Sequence, residues 1–269
     1  ITGKIAKLLY PEADIQIKGY EATNFEDNTF DLAIGNVPFG QYKVNDKDYN
    51  HLNFFIHDYF FAKTIDKVRP GGIVALVTSK GTLDKQDRKL RELLSEKTNL
   101  IGAVRLPNTA FKTAGTKVNT DIIILQKKTN EDMEISEGKN SFVNLKSDEN
   151  GILMNEYFVD NPHMILGQMK EISSQFGIDT ACIAPDGQDL KKSLSAAISF
   201  LNLDNEFENK SIDEIVDYKL SSQNLTTNLE NIRNYSYFID NNEVYFKENN
   251  KAILTDLKPL EKEKIVNLT

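Results

Sequence analysis

Apolar residues recur along the chain in two periods. Ile1, Ile5, Leu8 and Leu9 fall at helical spacing, so residues 1–9 read as a helix that stops before Pro11. Nothing caps its start, which fits a cut from a longer chain. Ile15 and Ile17 alternate with polar neighbours and predict a short strand over 14–19. After the polar turn 21–28, Phe30-Asp31-Leu32-Ala33-Ile34 reads as a buried strand running into Gly35-Asn36-Val37-Pro38-Phe39-Gly40. A loop rich in Asn, Asp, Lys and Tyr (41–50) precedes a strongly apolar helix over 52–68, which ends at the turn signal Arg69-Pro70-Gly71-Gly72. A Val/Ile-rich strand (73–78), an amphipathic helix (83–97, with Leu83, Leu90, Leu93 and Leu94 inward) and strands at 99–106 and 120–126 follow. Strands alternating with helices predict an α/β sheet.

The pattern changes after residue 128. Residues 129–150 are acidic and rich in Asn and Ser, and read as a linker with one short strand near 141–145. Residues 151–269 read as an α+β accessory region: loops at 155–162 and 176–187, helices at 190–203, 211–221 and 258–268, and a β-hairpin of 235–240 and 243–248 around Asn241-Asn242. The expected organisation is a catalytic α/β domain at 1–128, the linker, and the accessory region.

Charge divides the same way. Residues 1–128 carry 19 Lys and Arg against 15 Asp and Glu, while the remainder carries 13 against 25, for a net −8. A mildly basic first part suits a phosphate backbone, and an acidic second part suits a solvated face or a protein surface. Cys182 is the one cysteine, so an internal disulfide and a cysteine-based zinc site are excluded, and no metal site is expected. There is no apolar run of membrane-spanning length and no signal-peptide pattern, so a cytoplasmic protein is expected.

The turn at 35–40 carries the candidate chemistry. Polar and aromatic groups just past a strand's carboxyl end stand where open α/β sheets bind ligands. An exocyclic aromatic amine is a poor nucleophile because its lone pair is delocalised into the ring. Two acceptors aimed at its hydrogens, the Asn36 side-chain oxygen and the Val37 carbonyl, would localise that pair. Pro38 stiffens the turn, and Phe39 offers a face on which a base can stack. Placement and electrostatics, rather than a strong base, would carry the rate of methyl transfer to such an amine.

Asn36-Val37-Pro38-Phe39 resembles the Asn-Pro-Pro-Tyr/Phe motif of S-adenosylmethionine-dependent amino methyltransferases, chiefly DNA adenine-N6 methyltransferases. Val37 replaces a proline, which costs rigidity but keeps the carbonyl. The wider run resembles the methylase region of large methylase–helicase proteins of bacterial conjugative elements. The resemblance implies a Rossmann-like methyltransferase sheet and S-adenosylmethionine as cofactor. It implies a cofactor-edge role for Asn24 and Phe25, with Glu21 as the other candidate, and a base-stacking role for Phe111 opposite Phe39. Adenine would be flipped out of duplex DNA. Lys112 and Lys117, with Lys127 and Lys128, are the candidate phosphate contacts. The family's Gly-rich cofactor loop and the acidic residue after its second strand have no counterpart here. The chain therefore reads as an N-terminally incomplete sheet with weak or absent cofactor binding of its own. Helicase domains of the same parent chain, and a second copy paired through the exposed sheet edge, are the expected partners besides DNA. Two alternatives stand beside this reading: an amino methyltransferase acting on RNA or on protein glutamine, and a non-catalytic scaffold or DNA-docking module.

Overall fold

The computed structural model describes residues 1–112, 115, 118–129, 142–174, 177–201, 232, 236–240, 243–248 and 251–255. By contacts the chain divides into two units, 1–203 and 204–269.

The first unit is built on a four-stranded sheet of order β1-β2-β4-β3, in which β1 is Phe30–Asn36, β2 Val68–Ser79, β3 Thr98–Leu106 and β4 Thr120–Lys127. β1 and β2 run parallel, and β4 lies antiparallel to both β2 and β3. This is the α/β sheet that the alternation of elements predicted, and the Rossmann-like one that the resemblance implied. The Arg69–Gly72 turn signal lies inside β2, where the β1–β2 register slips between Phe30 and Leu32. Both glycines are needed there. Gly71 has φ +76°, and a Cβ on Gly72 would fall 2.8 Å from the Asp31 carbonyl oxygen.

The helix predicted over 52–68 is α2, Ile56–Lys67. It starts late because Asn53 is left-handed (φ 56°) and Phe55 is extended. Its Ile56, Tyr59, Phe61, Ala62 and Ile65 are buried, and the helix packs on β2. The single helix predicted over 83–97 is two, α3 (Gly81–Asp84) and α4 (Lys89–Lys97). The break is held from inside: the buried Arg91 donates to the carbonyls of Lys85 and Val143. The N-terminal helix α1 (Thr2–Leu9) forms as predicted and has no buried residue. The strand expected over 14–19 does not form, since those residues have no ladder partner among the described residues.

One expectation fails in an informative way. β1 is not a buried strand: Leu32 is 55% and Ile34 77% exposed. Its only ladder partner among the described residues is β2, so its outer edge stays open, and the face that carries Leu32 and Ile34 is open as well.

The segment after residue 141 is not peripheral. Phe142, Ile152, Met154, Phe158, Met164 and Leu166 belong to the same core as Val74, Leu94, Val104 and Ile123. Two short strands pair, β5 (Leu145–Ser147) with β6 (Leu153–Asn155), and Asn155 caps the short helix Glu156–Asp160 through Tyr157 N. Arg105 ties this segment to the sheet. It is fully buried, bidentate to Asp121 (2.9 and 2.8 Å), 2.8 Å from Asp84, and lies 4.2 Å from the Phe158 ring centroid. The division of the chain thus falls at 203/204, not at the expected 128 and 151. An antiparallel hairpin that the sequence pattern did not reveal, β7 (Gln168–Ser174) with β8 (Gly177–Ile183), also belongs to this unit. The helix expected over 190–203 spans Leu190–Ser199.

In the second unit, β9 (Ser236–Asp240) and β10 (Glu243–Glu248) form the predicted hairpin, and Lys251–Leu254 adds a third antiparallel strand, β11. Among the described residues, Phe238, Val244 and Ala252 are its buried apolar ones. The helices expected over 211–221 and 258–268 lie outside the described residues.

Candidate functional site

β1 delivers the 36–40 turn to the carboxyl end of the parallel pair. Asn36 pairs with Val77, and the chain leaves the sheet only after the Val37 amide has donated to the Val77 carbonyl at 3.0 Å. Val37 is 3% exposed, so its side chain roots the turn in the core. Asn36 itself is exposed. Among the described residues neither its side chain nor the Val37 carbonyl has a hydrogen-bond partner. Both groups are acceptors at the strand end. Pro38 is half-buried, and Phe39 is 40% exposed with its ring open to solvent.

Asn36, Val37 and Gly35 line a cavity of about 400 Å³ together with Phe25, Phe30, Leu32, Ile34, Tyr20, Phe60 and Thr64. Phe25 stands edge-on to Phe30 with ring centroids 5.1 Å apart. The structure thus brings Asn36 and Val37 together with one of the three predicted cofactor-edge residues. The other two are elsewhere. Asn24 is exposed and outside the lining, and Glu21 folds its carboxylate back against Gly19.

The loop after β3 reaches the same end of the sheet, since Thr120 at the start of β4 pairs with Ser79 at the end of β2. Phe111 in that loop is half-buried against the core and does not line the cavity. Lys112 is exposed, and Lys117 lies outside the described residues. Lys127 and Lys128 are spent internally. Lys127 donates to Asn28 and to the carbonyls of Asp66 and Val68, and Lys128, 4% exposed, donates to the Ser95 carbonyl. Neither is free to meet a phosphate.

Four groups whose partners sequence reasoning did not foresee stand in this unit. The first is a buried ammonium. Lys63 on α2 is 3% exposed and donates to Asp46 (2.9 Å), to the Tyr20 carbonyl (2.9 Å) and to the Thr23 carbonyl (3.3 Å). Asp46, 8% exposed, also accepts from the Tyr59 hydroxyl at 2.7 Å. Burial pushes the Asp46 carboxyl up, but the bonds from Lys63 and Tyr59 outweigh it and hold it below the usual range. The second is Asn119, which donates to the Thr180 carbonyl and accepts from the Cys182 amide. Beside it Lys80 donates to Asp179 and Thr180, so the β7–β8 hairpin is tied to Lys80 and Asn119. The third is Cys182, whose thiol burial pushes up to about 12. The fourth is His57, against the Gly40 backbone and 3.4 Å from Asp58; burial depresses its pKa. A signal for Lys63 was available: a lysine between Ala62 and Thr64, one turn from Tyr59, faces the apolar side of its helix. The others had none.

Residues 10–164 match the N-6 DNA Methylase family, over more than half of the chain.

The chain belongs to the N-6 DNA methylase family.

Among curated proteins, the chain is 33% identical over 133 residues to the Defense against restriction protein B of Escherichia phage P1. The match takes in 47% of this chain and spans only 6% of that relative's length. Among solved structures, the EcoKI M protein of a type I restriction enzyme aligns over 74% of this chain and 55% of its own, at 15% identity and TM-score 0.39. A class I S-adenosylmethionine-dependent methyltransferase from Listeria monocytogenes aligns over 40% and 35%, at 23% identity and TM-score 0.34.

The cavity can be set against S-adenosylmethionine, the cofactor that the family implies. Its wall is aromatic and aliphatic (Tyr20, Phe25, Phe30, Leu32, Ile34), which fits the flat face of a purine. Asn36 and Val37 line the same cavity, which fits the methyl-accepting end. Among the described residues the lining has no carboxylate to accept from ribose hydroxyls.

Proposed function

We propose that the protein to which this chain contributes is a DNA adenine-N6 methyltransferase, and that Asn36 and the Val37 carbonyl hold the amine that is methylated. The observation that carries this reading is the placement of Asn36 and Val37 at the end of β1, where both line a cavity that Phe25 also lines. The family match supports the same substrate class.

The residues divide the work. The two acceptors take one N–H each from the amine, which turns its lone pair out of the ring plane. They are preorganised, since β2 holds the Val37 amide and Pro38 fixes the turn. The exposed Phe39 ring offers a stacking face for the flipped base, worth about 1–3 kcal/mol. Phe25 supports the purine end of the cofactor. S-adenosylmethionine, when bound, supplies an electrophilic methyl group. Phe111 is kept as a second base-stacking residue, its place at the same sheet end being the support, and Lys112 as the phosphate contact in its loop. Asn24 and Glu21 remain cofactor-edge candidates on the same turn. As partners, DNA follows from the reaction. Helicase domains of the same parent chain are part of the proposal, as is a second copy on the open edge of β1, where Leu32 and Ile34 are exposed.

The experiment is methyl transfer from labelled S-adenosylmethionine by the intact protein, offered DNA, RNA and protein in parallel, with and without Asn36→Ala. Label should enter DNA, and the substitution should reduce kcat by about 100-fold or more, the scale for one lost preorganised polar partner. Labelling of RNA or protein instead would reassign the substrate. No labelling by the unsubstituted protein would favour a scaffold, and undiminished activity in the variant would remove Asn36 from the mechanism.

A further inference from the structure

We infer that Lys63 is a positioning residue, which holds the cofactor-side turn and the loop behind the Asn-Val-Pro-Phe-Gly turn in one fixed relation. An ammonium has three protons. Those of Lys63 point at three acceptors on two different segments: the Tyr20 and Thr23 carbonyls on the first, and the Asp46 carboxylate on the second. The charge is shut in by the rings of Tyr20, Tyr49 and Tyr59, with centroids 5.0 to 5.9 Å from Nζ.

The rest of the α2 face repeats the same division. Toward the first segment, Thr64 bonds the Tyr20 hydroxyl and Lys67 bonds Asp27. Toward the second, Tyr59 bonds Asp46 and Asp66 accepts from the Tyr49 hydroxyl. Lys63 alone, among these, bonds both. Two residues beyond Thr23 the chain delivers Phe25 to the cavity, and Phe60 and Thr64 of the same helix line it beside Asn36. A buried, fully bonded network has one low-energy geometry, so it sets distances that a merely apolar contact would leave loose. Asp46 in turn organises its own loop, since its carbonyl accepts from the amides of Tyr49 and Asn50. Lys63 touches none of the reacting groups and would act through Phe25 and the turn.

This rests on the proposed reading of the cavity, and the test separates the two. Lys63→Met alone strands a buried carboxylate and risks the fold, so the decisive variant is Lys63→Met with Asp46→Asn, which removes both charges together. Hydrogen exchange of the intact protein, which needs no turnover, should show the amides of Ala22, Thr23, Tyr49 and Asn50 exchanging at least about tenfold faster, while those of β2 and β4 are unchanged. The dissociation constant of S-adenosylmethionine should rise about tenfold. KM for the cofactor should follow it, with kcat at saturation within about threefold of the original. Equal exchange at those four amides overturns the inference whether or not the protein methylates anything. Unchanged cofactor affinity, in a protein that does bind it, overturns it too. A double variant that no longer folds would assign Lys63 to stability alone and overturn it likewise. Failure of the unsubstituted protein to bind cofactor counts against the cavity reading instead, and the exchange data still decide whether Lys63 joins the two segments.

Discussion

Phe158→Ala offers the most direct test of how this fold holds together. The ring is fully buried, 52 residues beyond the last residue of β3, and lies against the Arg105 guanidinium at 4.2 Å. Removing it deletes a whole core side chain, which costs about 3–5 kcal/mol through lost burial and the cavity left behind. The desolvated cation–ring contact is part of what is lost, and contacts of that kind are worth about 2 kcal/mol. Against a total stability of about 5–15 kcal/mol, a loss of 4 would be a large fraction. The assay is urea unfolding of the chain, followed by far-UV circular dichroism and by tyrosine fluorescence. With a slope of about 2 kcal/mol/M, the midpoint should fall by about 2 M, and both probes should move together because the 142–166 segment and the sheet share a core. Phe200→Ala is the control: the ring is 62% exposed, and its removal should change stability by less than about 0.5 kcal/mol. A shift under about 0.5 M for Phe158→Ala, or a separate early transition that leaves the sheet intact, would refute the shared core.

Two other outcomes follow from buried groups. Cys182 should resist alkylation by iodoacetamide at pH 8 in the folded protein and react fully in denaturant, because its thiol is buried and its pKa is pushed up to about 12. Rapid native labelling would contradict the packing of β8. Asp46 should make the protein acid-sensitive. Its folded pKa lies below the unfolded value of about 3.9, so its contribution is complete above that value and is lost as pH falls through the folded pKa. Thermal melts of Asp46→Asn should therefore show a shallower loss of stability between about pH 4 and pH 2 than the unsubstituted chain. Equal slopes would mean that the carboxylate is not paired as seen.

What the sequence determined by itself is local. The apolar run from Phe30 to Ile34 announced a strand, helical spacing announced α1, the apolar stretch over 52–68 announced α2, and the composition of 35–40 marked the turn with the chemistry. These signals depend on neighbours within a few residues, and the chain carries that information directly. The resemblance implied an exposed sheet edge, but only the tertiary structure decided that β1 is that strand: among the described residues it has one ladder partner, and the face that carries Leu32 and Ile34 stays open. It also decided the partners of buried charges. Lys63 meets carbonyls 40 and 43 residues away, and Arg105 meets Asp121 from a neighbouring strand. The same holds for the acidic, loop-like stretch after residue 141, whose few aromatic and aliphatic residues fill the core of the preceding sheet. A buried charge is tolerable only where specific acceptors converge on it. Such convergence is a property of the packed fold, and no periodicity along the chain encodes it.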